Sequence, residues 1–271
     1  MKKTLLRGFA FMVVGLLTVV PVGAQEVLAP VSDVSLRSDN GHKPNATVTA
    51  LELYTVRDEA GDILKDFVGL MAFHVPAKEG YTVKSAILKL VTERAKGNIT
   101  LYPFAAAMGD ADTYDSQREN IATARAATAV ATLRLAGTGG KAVTDKGASG
   151  VLADWVNTID VTDYVKAKAG GEVAFLFVNA AKSTVTSVKV YSSDAKDVTN
   201  SHVGFTFSAA DLVPQLTVEY AKAETTGIEE VKGEERKADR GGIYTLGGVS
   251  LKMVPGPGVY IVNGKKTVVR R

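Results

Sequence analysis

Apolar and polar residues alternate along much of the chain with the two-residue period of half-buried strands. Leu216, Val218 and Tyr220 alternate with Thr217 and Glu219, and Val188 and Val190 alternate with Ser187 and Lys189. Val173–Val178 is apolar at every position, which predicts a central strand covered on both faces. Similar runs lie at Leu51–Val56, Phe67–His74, Ser85–Val91 and Ile99–Phe104. Turn dipeptides separate them, among them Asn40-Gly41, Glu79-Gly80 and Gly170-Gly171. Many short strands at such intervals predict an all-β fold, an antiparallel β-sandwich of the jelly-roll type.

Two segments break the alternation. The Ala-rich stretch Arg118–Ala136 predicts a short helix at Gln117–Ala122, capped by Asp115 or Ser116, and then a strand at Ala129–Leu135. Val161–Lys168 predicts a second short helix with Asp160 as its N-cap. After Tyr220 the pattern stops. Ala221–Arg240 interleaves glutamates with lysines and arginines and holds almost no large apolar residue, the composition of a solvated linker. Alternation resumes in GIYTLGG (242–248) and GVYIVNGKKTVVRR (258–271), where Asn263-Gly264 predicts a hairpin.

The first residues have a different logic. Lys2, Lys3 and Arg7 precede an apolar run from Gly8 to Val20, followed by Pro21-Val22-Gly23-Ala24. This is the pattern of a secretory signal peptide spanning 1–24, and the run is short for a membrane span. No later apolar stretch is long enough to cross a bilayer as a helix, so the mature chain is expected to carry no transmembrane segment. The domain organisation read from the pattern is a signal peptide at 1–24, a β module at 25–221, a linker at 222–240 and a C-terminal segment at 241–271.

Composition and charge narrow the chemistry. The 271 residues include no cysteine, which removes disulfides, thiolate-bound metals and thiol nucleophiles. The formal charge is +3, but it resides at the ends. The module at 25–221 holds 19 basic and 23 acidic residues, residues 222–271 hold 10 basic and 6 acidic, and no acid follows Asp239. An acidic module argues against nucleic acid as a partner. The three histidines, His42, His74 and His202, have no metal-binding helical spacing, and no nucleophile elbow or phosphate loop is present. The chain therefore reads as non-catalytic, with a polysaccharide lyase or glycosidase as the minority reading.

Four ordered segments resemble the DNRLRE (disaggregatase-related) domain, also grouped as carbohydrate-binding module family 96. They are DVSLRSDN (33–40), FVGLMAFHVPAKEGYTVKSAILKLV (67–91), WVNTIDVTDYVKA (155–167) and PQLTVEY (214–220). The resemblance covers nearly all of residues 31–221. It implies a jelly-roll sandwich that binds polysaccharide. Where that family carries a Trp- and Pro-containing segment, this chain is Ala-rich over Ile121–Ala131. The alternative is therefore a structural or adhesive cell-surface protein that keeps the sandwich without a glycan site. The tail, from Ile243-Tyr244-Thr245-Leu246 to Val268-Val269-Arg270, is similar to the C-terminal sorting segment of exported Bacteroidota proteins. That similarity implies type IX secretion and a secreted, extracellular or outer-surface location, with the periplasm as the other compartment and the export machinery as a partner.

Within the module, aromatic and basic residues are the candidate glycan contacts, because sugar rings stack on aromatic faces and arginine pairs with carboxylates. Trp155, the single tryptophan, is one, against the reading that it packs at a sandwich edge. Tyr54 and Tyr191 alternate with inward apolar neighbours and are expected to face outward; Tyr102 is a further platform. Arg37 would meet a uronate, or else serve as an ordinary surface ion pair. Asp110, Asp112 and Asp115 form an acidic cluster that would suit a structural calcium, the one cofactor considered, or a solvated loop and helix cap.

Overall fold

The computed structural model describes residues 24–41, 43, 48–94, 97–105, 108–109, 111–137, 140–179, 187–223, 242–253, 256–263 and 265–269. The chain divides into two compact units on either side of the 223/224 boundary.

The first unit is an all-β sandwich with three helices. Its strands are β1 (Gln25–Leu28), β2 (Ser32–Arg37), β3 (Ala50–Arg57), β4 (Ile63–Val75), β5 (Tyr81–Arg94), β6 (Asn98–Phe104), β7 (Ala131–Arg134), β8 (Val156–Asp160), β9 (Gly171–Asn179), β10 (Val188–Tyr191) and β13 (Gln215–Lys222), with a separate hairpin of β11 (Val198–Asn200) and β12 (Phe205–Phe207). The helices are α1 (Tyr114–Ala126), α2 (Thr162–Lys168) and α3 (Ala209–Leu212). The main sheet runs β1-β13-β5-β10-β3-β4-β9-β6-β7, with β2 added to β4 and β8 added to β5. Each of these pairings is antiparallel.

The sheet curls so that its two halves face each other across one core. Val83, Leu88 and Leu90 of β5 and Leu216 and Val218 of β13 share a buried cluster with Met71 and Phe73 of β4 and Val173, Phe175 and Phe177 of β9. Leu51 and Leu53 of β3 and Val188 and Val190 of β10 join it from the strands that link the halves. Gly69 lets Leu51 pack closely over β4: a Cβ there would lie 2.9 Å from Leu51 Cδ1. α2 contributes Val165, beside Val161, to the same core.

Strand β4 over residues 67–73 and strand β9 over residues 173–178 carry no polar side chain because both faces are covered there. Val68, Leu70 and Ala72 of β4 and Ala174, Leu176 and Val178 of β9 point away from the central core and pack with Tyr114, Ile121 and Ala124 of α1. The buried α1 positions Tyr114, Gln117, Ile121 and Ala124 follow helical spacing. The helix starts earlier and ends later than the sequence pattern predicted, and its cap is neither Asp115 nor Ser116. Thr113 is the N-cap, and Ser116 stands at N3 of a reciprocal capping box (Ser116 N–H to Thr113 Oγ1 3.1 Å, Thr113 N–H to Ser116 Oγ 2.9 Å). Asp160 is likewise displaced from the cap position, which Val161 occupies, although its Oδ1 accepts the Thr162 N–H at 2.9 Å.

Beneath α1 lies a fully buried carboxylate. Asp66 accepts hydrogen bonds from Tyr114 Oη (2.7 Å), Arg125 Nη2 (2.8 Å) and Thr55 Oγ1 (3.0 Å), and its own N–H donates to Ser38 Oγ (2.8 Å). On a separate outer surface, loops that include Val143, Ala148 and Ala195, together with Leu212 of α3, cover Val91, Trp155, Tyr191 and Phe207 in a third apolar cluster.

The second unit is a four-stranded antiparallel sheet of order β15-β14-β16-β17, from β14 (Ile243–Thr245), β15 (Ser250–Leu251), β16 (Gly258–Val262) and β17 (Lys265–Val269). Asn263 takes φ 54° at the β16–β17 turn, the conformation that the Asn-Gly pair favours. Among the described residues, no helix is long and apolar enough to cross a membrane.

Candidate functional site

Arg37 and Tyr54 converge, and the residue that unites them is Phe67. Arg37 of β2 and Tyr54 of β3 both stand opposite Phe67 of β4, one on each side. The Arg37 guanidinium lies 4.2 Å from the Phe67 ring centroid and the Tyr54 ring 5.6 Å from it, with Lys65 Nζ at 5.1 Å. Such cation–aromatic contacts hold a guanidinium flat and in place. Asp39 grips the same guanidinium through both oxygens (3.2 and 3.3 Å), Glu52 accepts from Nη1 at 3.5 Å, and Lys65 reaches Asp39 at 2.9 Å. The paired charges raise the Arg37 pKa, chiefly through the Asp39 hydrogen bond, and the same bond lowers that of Asp39.

A groove of about 370 Å³ opens beside this cluster. Its polar lining is Ser35, Arg37, Thr49, Glu52, Glu93 and Lys189, over Val48 and Ala50. Lys189 of β10 stands directly between Glu52 of β3 and Arg94 of β5 in the ladder, with an acidic neighbour on one side and a basic one on the other. Burial pushes the Glu93 carboxyl up, and Lys189 and Arg94 oppose the rise only in part. Among the groove's lining residues, the charges of Arg37 and Lys189 equal in number those of Glu52 and Glu93. The groove thus offers fixed donors and acceptors with no net charge. It suits a hydroxyl-bearing ligand better than a polyanion, which would first have to draw Arg37 from Asp39.

The other expected contacts lie elsewhere. Trp155 has no exposed surface; its Nε1–H donates to the Ser149 carbonyl at 3.0 Å, so it cannot stack a sugar. Tyr191 does point away from Val188 and Val190, but the loops of the third cluster cover that face, leaving the ring 2% exposed rather than outward in solvent. Tyr54 is half-exposed, as its alternation predicted. Tyr102 is half-buried against the α1 cluster, not at the groove. Asp110 lies outside the described residues. Asp112 Oδ2 accepts the Gly109 N–H (2.9 Å), and Asp115 pairs with Arg118 (2.6 Å) in the first turn of α1. Among the described residues no group of three or more His, Cys, Asp or Glu is placed to hold a metal.

Phe67, Lys65, Glu52, Glu93 and Lys189 were missed by sequence reasoning. Glu52 and Lys189 occupy outward positions of alternating strands, which is visible in the pattern. Their adjacency is a matter of strand order, which is not. The architecture defines an all-β sandwich protein with a polar groove joined through Arg37 to the Phe67–Tyr54 aromatic pair. A scan against protein-family models finds no match, and no curated protein matches the chain in sequence.

Proposed function

We propose that the protein is an exported, surface-directed, non-catalytic carbohydrate-binding protein that engages polysaccharide at the Arg37 groove. The observation that carries this reading is the joining of Arg37 and Tyr54 around Phe67 beside a preformed groove, which Arg37 itself lines along with other acidic and basic groups. Planar donors and carboxylate acceptors that are already positioned suit the hydroxyl pairs of a sugar, and an aromatic beside them suits its C–H face. The signal-like leader and the sorting-like tail support delivery to the cell surface through type IX export.

The test is a glycan array followed by titration of the retained glycans, using the full exported chain with and without Arg37→Ala and Tyr54→Ala. Each substitution is expected to weaken binding about tenfold, the equivalent of about 1.4 kcal/mol. Absence of retention across neutral and acidic glycans would sink the reading. One observation favours the alternative, a structural or adhesive surface protein: Trp155 and Tyr191 are sealed inside the third cluster, so the aromatic area available for stacking is small. Binding to a protein receptor that survives Arg37→Ala would support it.

A further inference from the structure

We propose that the sandwich carries a second ligand site, a cleft at the β8–α2 corner that takes a sugar unit without anionic groups, neutral or amino-bearing. The cleft encloses about 630 Å³, within the range of small-ligand sites. It shares no lining residue with the Arg37 groove.

Its walls come from four places: the start of β5, the end of β6, the segment entering β7, and the junction of β8 with α2. Pro103, Val130, Val161 and Tyr164 give apolar surface, and Thr128 and Asp163 give polar surface beside it. A pyranose has the same division, with C–H faces and a hydroxyl rim. Both sides of the cleft are pinned to strands. Val130 N–H donates to the Leu101 carbonyl (2.8 Å), Val161 N–H to the Ala86 carbonyl (3.0 Å), and Ala86 N–H to Thr162 Oγ1 (2.9 Å). A ligand would meet a site already in shape, which reduces the ordering cost of binding.

The charges select the ligand. Lys84 lines the cleft, but its ammonium is 2.7 Å from Glu219 Oε1 and is neutralised there. Asp160 is kept ionised, its pKa lowered by the hydrogen bonds with Thr162. Asp163 is exposed and has no hydrogen bond or ion pair with any described residue. The cleft therefore presents carboxylate acceptors without a balancing cation. Hydroxyl and ammonium donors are attracted, and uronates and sulfates are repelled.

Titration of the full exported chain with three oligosaccharides tests this: N-acetylglucosamine oligomers (neutral), glucosamine oligomers (amino) and galacturonate oligomers (anionic). At least one of the first two should bind in an Arg37→Ala background, where the other groove is disabled, and Asp163→Lys added to that background should weaken the binding tenfold or more. The milder Asp163→Asn separates the two sources. It should weaken the amino oligomer strongly and the neutral one only slightly. A thermal melt matching the parent's confirms that either variant is folded. The proposal is overturned if neither uncharged nor amino oligomer binds, if the galacturonate oligomer binds best, or if Asp163→Lys has no effect. Loss of binding on Arg37→Ala alone would instead assign the ligand to the other groove.

Discussion

The two coverings of the sandwich's outer surfaces solve the same problem with different chemistry. Under α1, the buried polar groups meet a charge: the Asp66 carboxylate is shared among Tyr114, Thr55 and Arg125. Under the loops of the third cluster, the side-chain bonds made by Trp155 and Asn200 are neutral. Trp155 donates to a carbonyl, and Asn200 bridges the Val143 and Asp145 carbonyls at 2.7 and 3.0 Å. Each covering also holds a buried tyrosine. The Tyr114 hydroxyl is bonded to Asp66, whereas the Tyr191 hydroxyl has no hydrogen-bond partner among the described residues. Burial raises the pKa of both, and the neighbouring carboxylates, Asp66 and Glu93, push in the same direction. The α1 covering is thus specific and vulnerable to loss of one partner. The loop covering is sealed mainly by apolar packing.

The sharpest way to break this contrast is Asp66→Ala. It leaves Arg125, whose side chain is only 16% exposed, without its partner, and should cost about 3–5 kcal/mol in urea unfolding. Tyr114→Phe removes one bond to a charged acceptor and should cost about 2 kcal/mol in the same measurement. Glu93→Gln should have a smaller effect, of opposite sign and dependent on pH. Glu93 is raised above its ordinary 4.5 in the folded chain, so the unfolded chain ionises first as pH rises. The parent loses stability from about that value upward until the folded-state pKa is passed, and the variant does not. Melts across pH should therefore show Glu93→Gln ahead at pH 7 and level with the parent below its ordinary value. Tyr191→Phe should change least, within about 0.5 kcal/mol, because the hydroxyl it deletes has no partner to lose among the described residues. A cost as large as that of Tyr114→Phe would remove the distinction between the two coverings.

Much of the sandwich was legible as period-two alternation, and the doubly apolar run at Val173–Val178 correctly marked a strand covered on both faces. Tyr191 shows where that logic stops. Alternation gives the side of a strand, and exposure depends on whether a distant loop returns to cover that side. Trp155 is hidden by the same loops. In α1, alanine content gave the helix, but the Thr113–Ser116 box depends on the backbone turn that enters it. Arg37 and Tyr54 were visible singly as strand-borne polar and aromatic residues. The ring between them emerges only when β2 and β3 both take places beside β4. The cleft at Asp163 was not legible, since it arises from α2 docking across the end of the core.

Strand order has a further consequence, for the time at which the module can close. β13 lies between β1 and β5, pairing four residues of the first strand and eight of the fifth. Gln25 stands opposite Glu219, so the beginning and end of the module are neighbours. A chain synthesised from its N-terminus has to deliver residues up to 222 before that gap is filled. Until then β1 has no partner for its ladder, and the β13-pairing edge of the 14-residue β5 stands open. An unpaired edge of that length invites association with other chains. Truncation before Gln215 should therefore yield aggregates rather than a smaller sandwich, and the module's last strand acts as its closure, completed only after nearly all the rest of the module has emerged.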